Sequence, residues 1–236
     1  MTSEVNPLTL SIDIGGTGLK MLVLDYEGNS IDERQRSKTP HPATPNAVLD
    51  ELKKLIDKQP AFDRVSIGFP GVIKDGCVKT AVNLDKQWTD FNLAKAIIEI
   101  TGKPVRIAND ADVQGYACIE GRGVELVLTL GTGMGSAHFV DGILVPNLEL
   151  AHHPYKKKAT YEDFVGKVAL QDIGKEKWCR RVQKVIEQLE PIWNYRLLHI
   201  GGGNVKLLDQ GSLPDNVKLH SNIGGVLGGI ALWERE

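Results

Sequence analysis

The chain has 236 residues, 42% of them hydrophobic and 25% charged, with a formal net charge of −2. This is globular composition, long enough for one large domain or two small ones, and the charge balance gives no electrostatic basis for nucleic-acid or membrane-surface binding. The cysteines, Cys77, Cys118 and Cys179, are far apart with no CxxC or Cys/His run, so their spacing suggests neither a structural zinc nor a disulfide framework, and a reducing cytoplasm fits. The N-terminus shows no basic region followed by an apolar core, and no apolar run reaches membrane-spanning length, so a soluble intracellular protein is expected.

Residues 8–14 read as a strand, Gly15-Gly16-Thr17-Gly18 as a turn and 19–24 as a second strand. After a turn at 25–29, residues 30–38 read as a polar strand near a sheet edge. Pro40, Pro42 and Pro45 punctuate a loop, and residues 46–58 then carry Val48, Leu49, Leu52, Leu55 and Ile56 at helical spacing. Residues 65–68 return as a buried strand broken by Phe69-Pro70-Gly71, and Lys74-Asp75-Gly76 marks a hairpin. A polar loop over 83–88 precedes a helix at 93–101 that Gly102 ends. Residues 105–108 form a short apolar strand that runs into Asn109-Asp110-Ala111-Asp112 and a helix over 111–119.

The second half begins in the same way. Strand 126–130, the turn Gly131-Thr132-Gly133-Met134-Gly135, strand 136–140, the turn Asp141-Gly142 and strand 143–145 repeat the pattern of the first hairpin. An internal duplication explains this, and so would two unrelated hairpins. A loop over 149–158 holds two histidines and three consecutive lysines, followed by helices over 161–168 and 178–189. Strand 197–200 runs into Gly201-Gly202-Gly203, strand 217–220 is the last, and Gly224-Gly225 opens a small-residue helix. No low-complexity linker separates the halves, so two lobes packed across a cleft are expected.

Three features carry chemistry. Asp110 stands at a strand end beside a helix N-terminus, a rigid mount that suits a general base; the same position also suits a helix N-cap. In Asp13-Ile14-Gly15-Gly16-Thr17-Gly18 the glycines let backbone N–H groups approach an anion, Thr17 adds a hydroxyl and Lys20 a cation. Asp13 there could hold a hydrated Mg²⁺ on phosphate oxygens. The turn holding Gly131, Thr132, Gly133 and Gly135 would be the second half of a phosphate clamp. Gly202 and Gly203 would be a third anion contact or simply a tight strand-to-helix turn.

With these residues in view, the chain resembles the ROK group of sugar kinases within the actin-like ATPase fold, and among them the polyphosphate glucokinases. The likeness rests on Asp13 through Lys20, Gly68-Phe69-Pro70-Gly71-Val72, Thr80 through Asp85 with Trp88, and Asn109-Asp110-Ala111-Asp112. It continues through Leu128 to Ala137, Asp141-Gly142, Leu144 to Asn147, Glu149, Trp178 with Arg181-Val182, and Gly201-Gly202-Gly203. The resemblance implies an α/β, two-lobed, duplicated ribonuclease H-like fold. The small lobe would span residues 1–108, joined by a returning helix at about 224–236, and the large lobe 109–223.

The resemblance also implies roles. Asp110 would take the proton from a sugar 6-hydroxyl. Asn83, Asp85, Asn109, Glu149 and His152 would bind the sugar hydroxyls with it. The glycine turns would hold polyphosphate or ATP with Mg²⁺, to phosphorylate glucose or a related hexose in a cytoplasmic homodimer. The family's Glu-x-Gly-His reads Glu149-Leu150-Ala151-His152 here, and Ala151 would be crowded if its φ were positive. Residues 153–172 lack the cysteines of the zinc motif that many family members carry, which polyphosphate-using members usually lack too. His153 and His199 are taken as structural. A kinase for another hexose or amino sugar, and a non-catalytic sugar sensor, remain as alternatives.

Overall fold

β1 (Thr9–Ile14) pairs antiparallel with β2 (Gly18–Leu24), closing the hairpin that the first glycine run announces. This computed structural model describes residues 6–81, 84–156, 158–220 and 227–234. Its contacts divide the chain into two units, Met1–Ala117 with Gly224–Glu236, and Cys118–Ile223.

In the first unit β2 pairs with β3 (Gln35–Lys38), which is shorter than the expected 30–38 strand. The Asp32 carboxylate accepts the Glu33 N–H and the chain bends there, so only Ser30 bridges back to Leu24. α1 (Pro45–Ile56) starts at Thr44, whose hydroxyl accepts the Ala47 N–H. Pro45 opens the helix, where its missing N–H costs nothing. β4 (Arg64–Phe69) follows, then a hairpin of β5 (Ile73–Lys74) and β6 (Cys77–Val78) turning at Asp75 (φ 51°) and Gly76 (φ 73°). α2 (Leu93–Thr101) ends at Gly102, φ 66°. β7 (Val105–Asn109) runs directly into α3 (Asp110–Tyr116), a helix shorter at its C-terminus than expected. The sheet order is β3-β2-β1-β4-β7, with β1, β4 and β7 parallel.

Side chains alternate across β1. Leu10, Ile12 and Ile14 join Val48 and Leu52 of α1 and Leu93 and Ile97 of α2 in one apolar core. Thr9, Ser11 and Asp13 point the other way and are also buried. The C-terminal residues return to that polar face: the Ser66 hydroxyl donates to the Gly229 carbonyl, and the Trp233 indole N–H donates to Ser66 Oγ at 2.8 Å. A Cβ at Gly229 would lie 2.3 Å from Ser11 Oγ, and one at Gly228 1.8 Å from the Val113 carbonyl oxygen. Glycine is what lets the chain pass this close. The helix expected from Gly224-Gly225 begins outside the described residues; within them a 3-10 turn, Leu227–Ile230, leads into Ala231–Glu234.

The second unit repeats the plan. β8 (Val124–Leu130), β9 (Met134–Val140) and β10 (Ile143–Val145) form a meander that turns at Asp141 and Gly142. The expected loop at 149–158 contains a 3-10 turn, Leu150–His152, and β11 (Pro154–Lys156), which pairs with β12 (Ala159–Thr160). The helix expected over 161–168 is two helices, α4 (Tyr161–Val165) and α5 (Lys167–Ile173), because Gly166 takes an extended conformation between them. α6 (Lys175–Trp193) is longer than expected at both ends and buries Trp178, Val182, Val185, Ile186 and Leu189. β13 (Leu197–Gly201) and β14 (Val217–Leu219) lie parallel to β8. The order β10-β9-β8-β13-β14 matches the first sheet strand for strand, so the hairpin pattern in the sequence is a duplication of whole sheets. Among the described residues no helix is long and apolar enough to cross a membrane.

Candidate active site

Strand register sets the candidate residues of the first unit. Lys20 on β2 faces Asp13 on β1, Asp13 faces Gly68 on β4, and Gly68 faces Ala108 on β7. These four residues form one row across the sheet. Lys20 Nζ lies 3.0 Å from Asp13 Oδ2, and the Asp13 side chain is only 10% exposed. At Gly68 an added Cβ would sit 3.4 Å from Asp110 Cα and 3.7 Å from Val113 Cβ. The first turn of α3 thus packs directly over Gly68, next in line to Asp13.

Asn109 and Asp110 are fixed by different atoms. Asn109 caps α3 through Oδ1, which accepts the Ala111 N–H at 2.8 Å, and its Nδ2 donates to the Gly71 carbonyl at 3.2 Å. The Ala111 N–H is shared with Asp110 Oδ1, also at 2.8 Å. Asn109 is thus the N-cap, and Asp110 is the first residue of the helix, half-buried, with its carboxylate at the positive end of the helix dipole. Gly71 can hold Asn109 because a Cβ there would lie 1.9 Å from the Thr80 carbonyl oxygen, and the Thr80 hydroxyl accepts the Val72 N–H. Of the other expected sugar ligands in this unit, Asn83 lies outside the described residues. Asp85 is half-buried and caps the turn Lys86–Trp88 by accepting the Gln87 N–H at 2.9 Å.

The first glycine turn is closed by the Gly15 N–H donating to the Gly18 carbonyl at 3.0 Å, and Thr39 ties it to the edge strand through Gly15 and Thr17. Thr17 is exposed.

In the second unit the Gly131 N–H donates to the Gly133 carbonyl at 3.0 Å. The Gly201-Gly202-Gly203 turn is drawn onto this hairpin: Asn204 donates its backbone N–H to the Leu130 carbonyl and Nδ2 to the Gly131 carbonyl, both at 3.0 Å. Gly202 has φ 91° and a Cβ there would meet Leu130 backbone at 2.4 Å, so it is a packing glycine. Gly131 and Gly203 differ: among the described residues nothing lies within 4 Å of where their Cβ would be. In the sequence Glu162 reads only as an acidic residue in the first turn of a helix. Its Oε2 accepts the Met134 N–H at 3.0 Å and occupies the space beside Gly133. No local signal announces that contact.

Glu149 and His152 flank the turn Leu150–His152, with Glu149 Oε2 3.5 Å from His152 Nε2. Burial raises the Glu149 carboxyl above its ordinary value, with His152 opposing and Glu162 reinforcing. Ala151 lies inside that turn, is buried, and is not among the residues with positive φ, so the absent glycine imposes no backbone strain.

The ROK family model matches residues 9–147. A polyphosphate glucokinase of Mycobacterium tuberculosis is 35% identical over 206 residues, covering 82% of this chain and 76% of that protein. The crystal structure of an inorganic polyphosphate/ATP-glucomannokinase from Arthrobacter sp. strain KM superposes with a TM-score of 0.86 at 32% identity, over 96% of this chain and 98% of that one. A ROK family glucokinase from Streptomyces griseus, solved with glucose and AMPPNP, gives a TM-score of 0.81 over 96% and 98%. At 19% identity it speaks for the fold alone. The duplicated sheets are thus the two halves of an actin-like fold, and the chain belongs to the ROK family.

Proposed function

We propose that this protein transfers a phosphoryl group from inorganic polyphosphate or ATP to the 6-hydroxyl of glucose. The observation that carries the reading is the start of α3, where Asn109 is tied to the Gly71 carbonyl and shares the Ala111 N–H with Asp110, in a chain of this family. Asp110 accepts the proton of the 6-hydroxyl as the new O–P bond forms and the bond from phosphorus to the donor's bridging oxygen breaks. The transition state is loose, so positioning and charge stabilisation supply most of the rate. Asn83, Asp85, Asn109, Glu149 and His152 bind the sugar hydroxyls, and an absent hydroxyl would leave these groups unpaired. The N–H groups of the turns at Gly15 to Gly18 and Gly131 to Gly135 bind donor phosphates. Gly203, with open space at its Cβ position, leaves backbone accessible to an anion.

Mg²⁺ fits the first unit. It keeps most of its waters and needs one or two carboxylates, and Asp13 offers a nearly buried one at a strand end. The ion would neutralise charge on the donor oxygens, with Lys20 as a second cation beside it. A homodimer in the cytoplasm completes the reading, and size-exclusion chromatography with light scattering tests the dimer.

The deciding experiment is a coupled glucose 6-phosphate assay with ATP against long-chain polyphosphate, followed by direct detection of product with mannose and amino sugars. Glucose turnover with either donor is expected. Saturable glucose binding with no turnover from either donor would make the protein a sensor and overturn the proposal.

A further inference from the structure

On the far side of the second sheet, Cys118 Sγ and one ring nitrogen each of His199 and His220 lie within 4.8 Å of one another. None of the three belongs to the catalytic reading above. His199 Nδ1 is 2.9 Å from His220 Nε2, and His199 Nε2 is 3.0 Å from Glu125 Oε1. We propose that Cys118, His199 and His220 bind a zinc-class divalent cation, with Glu125 orienting His199 from behind.

Proton bookkeeping supports the assignment. Glu125 is fully buried and accepts the backbone N–H groups of Glu120, Gly121 and Arg122 at 2.8, 2.7 and 3.1 Å. A carboxylate surrounded by donors is ionised and only accepts, so the proton of His199 sits on Nε2. That leaves the Nδ1 electron pair facing His220 Nε2 at 2.9 Å, with Cys118 Sγ within 4.8 Å. A carboxylate on the outer nitrogen of a histidine is the usual support of a metal-binding imidazole, because it fixes the tautomer and raises basicity. Burial lowers the pKa of both histidines, which keeps them neutral and able to coordinate. Burial, and then Glu125, push the Cys118 thiol up to about 12. A bound cation reverses this, because it takes the thiolate and releases the proton to solvent.

One sulfur and two imidazole nitrogens suit Zn²⁺, with water as the fourth ligand. Tetrahedral coordination sets neighbouring ligand atoms roughly 3.3–3.7 Å apart, so the ring nitrogens would separate by a few tenths of an ångström and the thiol close in by at most about 1 Å. Cys118 is the first residue of the second unit and His220 stands three residues before its last, while His199 lies inside β13. The cation would staple the two ends of the unit to a central strand. The Glu125–His199–His220 hydrogen-bond chain would hold those three residues together without a metal, and a Cys118 variant separates the two readings.

The test uses the full chain, stripped with EDTA, titrated with Zn²⁺ against a chromophoric competitor and separately with Co²⁺. One tight equivalent is expected, with a thiolate-to-cobalt absorption band in the near ultraviolet. Cys118→Ser should abolish that band and weaken Zn²⁺ binding by roughly 100-fold or more, beyond the 10–100-fold typical of losing an outer partner. His220→Ala should weaken it similarly. Cys118→Ser leaves the hydrogen-bonded chain intact, so it decides the matter should His220→Ala fail to fold. Wild-type binding no tighter than that of Cys118→Ser, or a cobalt spectrum without the sulfur band, overturns the site whatever the enzymatic activity.

Discussion

Glu125→Gln tests the buried carboxylate on which the second unit is built. Glu125 Oε1 accepts the Glu120 N–H, His199 Nε2 and, at 3.4 Å, Arg196 Nη2; Oε2 accepts the Gly121 and Arg122 N–H groups. Glutamine has the same shape, but one of its two terminal atoms is an NH₂. Whichever way the amide turns, at least two donors face a donor. Each stranded buried group costs about 1–3 kcal/mol, and loss of the charge adds to this, so about 3–5 kcal/mol is expected. The Arg196 contribution is small because that side chain is 36% exposed. In a chain of this size the melting temperature should fall by about 10 °C. Circular dichroism melts at neutral pH measure it.

The deficit also has a pH signature. Burial by itself would raise the Glu125 pKa, but the backbone N–H groups and His199 outweigh it and hold the carboxyl below its ordinary 4.5. A depressed folded pKa means stability that is present above the unfolded value and lost as pH falls through the folded one. Mutant and wild-type melts should therefore converge only in acid, below pH 4.5. A variant melting within about 2 °C of wild type at neutral pH would refute the claim that this carboxylate is a required acceptor.

Four further outcomes are expected. Asp110→Asn keeps an acceptor for the Ala111 N–H but cannot take a proton, so kcat should fall by a factor of about 10² or more with the fold intact; near-full activity would remove Asp110 as the base. Glu162→Ala releases the Met134 N–H, and the KM for the phosphoryl donor should rise by roughly tenfold while that for glucose changes little, at a cost of about 1.5–3 kcal/mol for the lost charged hydrogen bond. Gly71→Ala drives a methyl against the Thr80 carbonyl, so urea melts should show a loss of about 1–3 kcal/mol together with a higher glucose KM through Asn109; unchanged values in both measurements would count against the anchor. As pH falls through the raised pKa of Glu149, its carboxylate protonates and accepts fewer hydroxyl hydrogen bonds. The kcat/KM for glucose should therefore decline above the usual carboxylate range, and Glu149→Gln should lack that limb of the profile.

Local chemistry made much of the fold legible before any coordinates. Asp75-Gly76 and Asp141-Gly142 take left-handed φ values in their turns, and Gly102 ends α2 where expected. The helical spacing of Val48, Leu52, Leu55 and Ile56 became the buried face of α1. Local chemistry failed where a segment's state depends on a distant partner. The stretch 30–38 reads as one polar strand, yet only 35–38 form a continuous ladder with β2, and Ser30 makes an isolated bridge to Leu24. Residues 154–156 became a strand because Ala159 and Thr160 pair with them.

Periodicity, turn residues and the order of glycine motifs determined the α/β class, the duplicated hairpins and the prominence of Asp110, because each is written in residues a few positions apart. Register decided the rest. Asp13, Gly68 and Ala108 share a row only because three strands align in parallel, and that alignment puts an empty Cβ position under the start of α3. Glu162 reaches the Met134 N–H across 28 residues, and Cys118, His199 and His220 converge from three segments without a recognisable spacing. Such contacts follow from how sheets and helices stack, which no short window of sequence encodes.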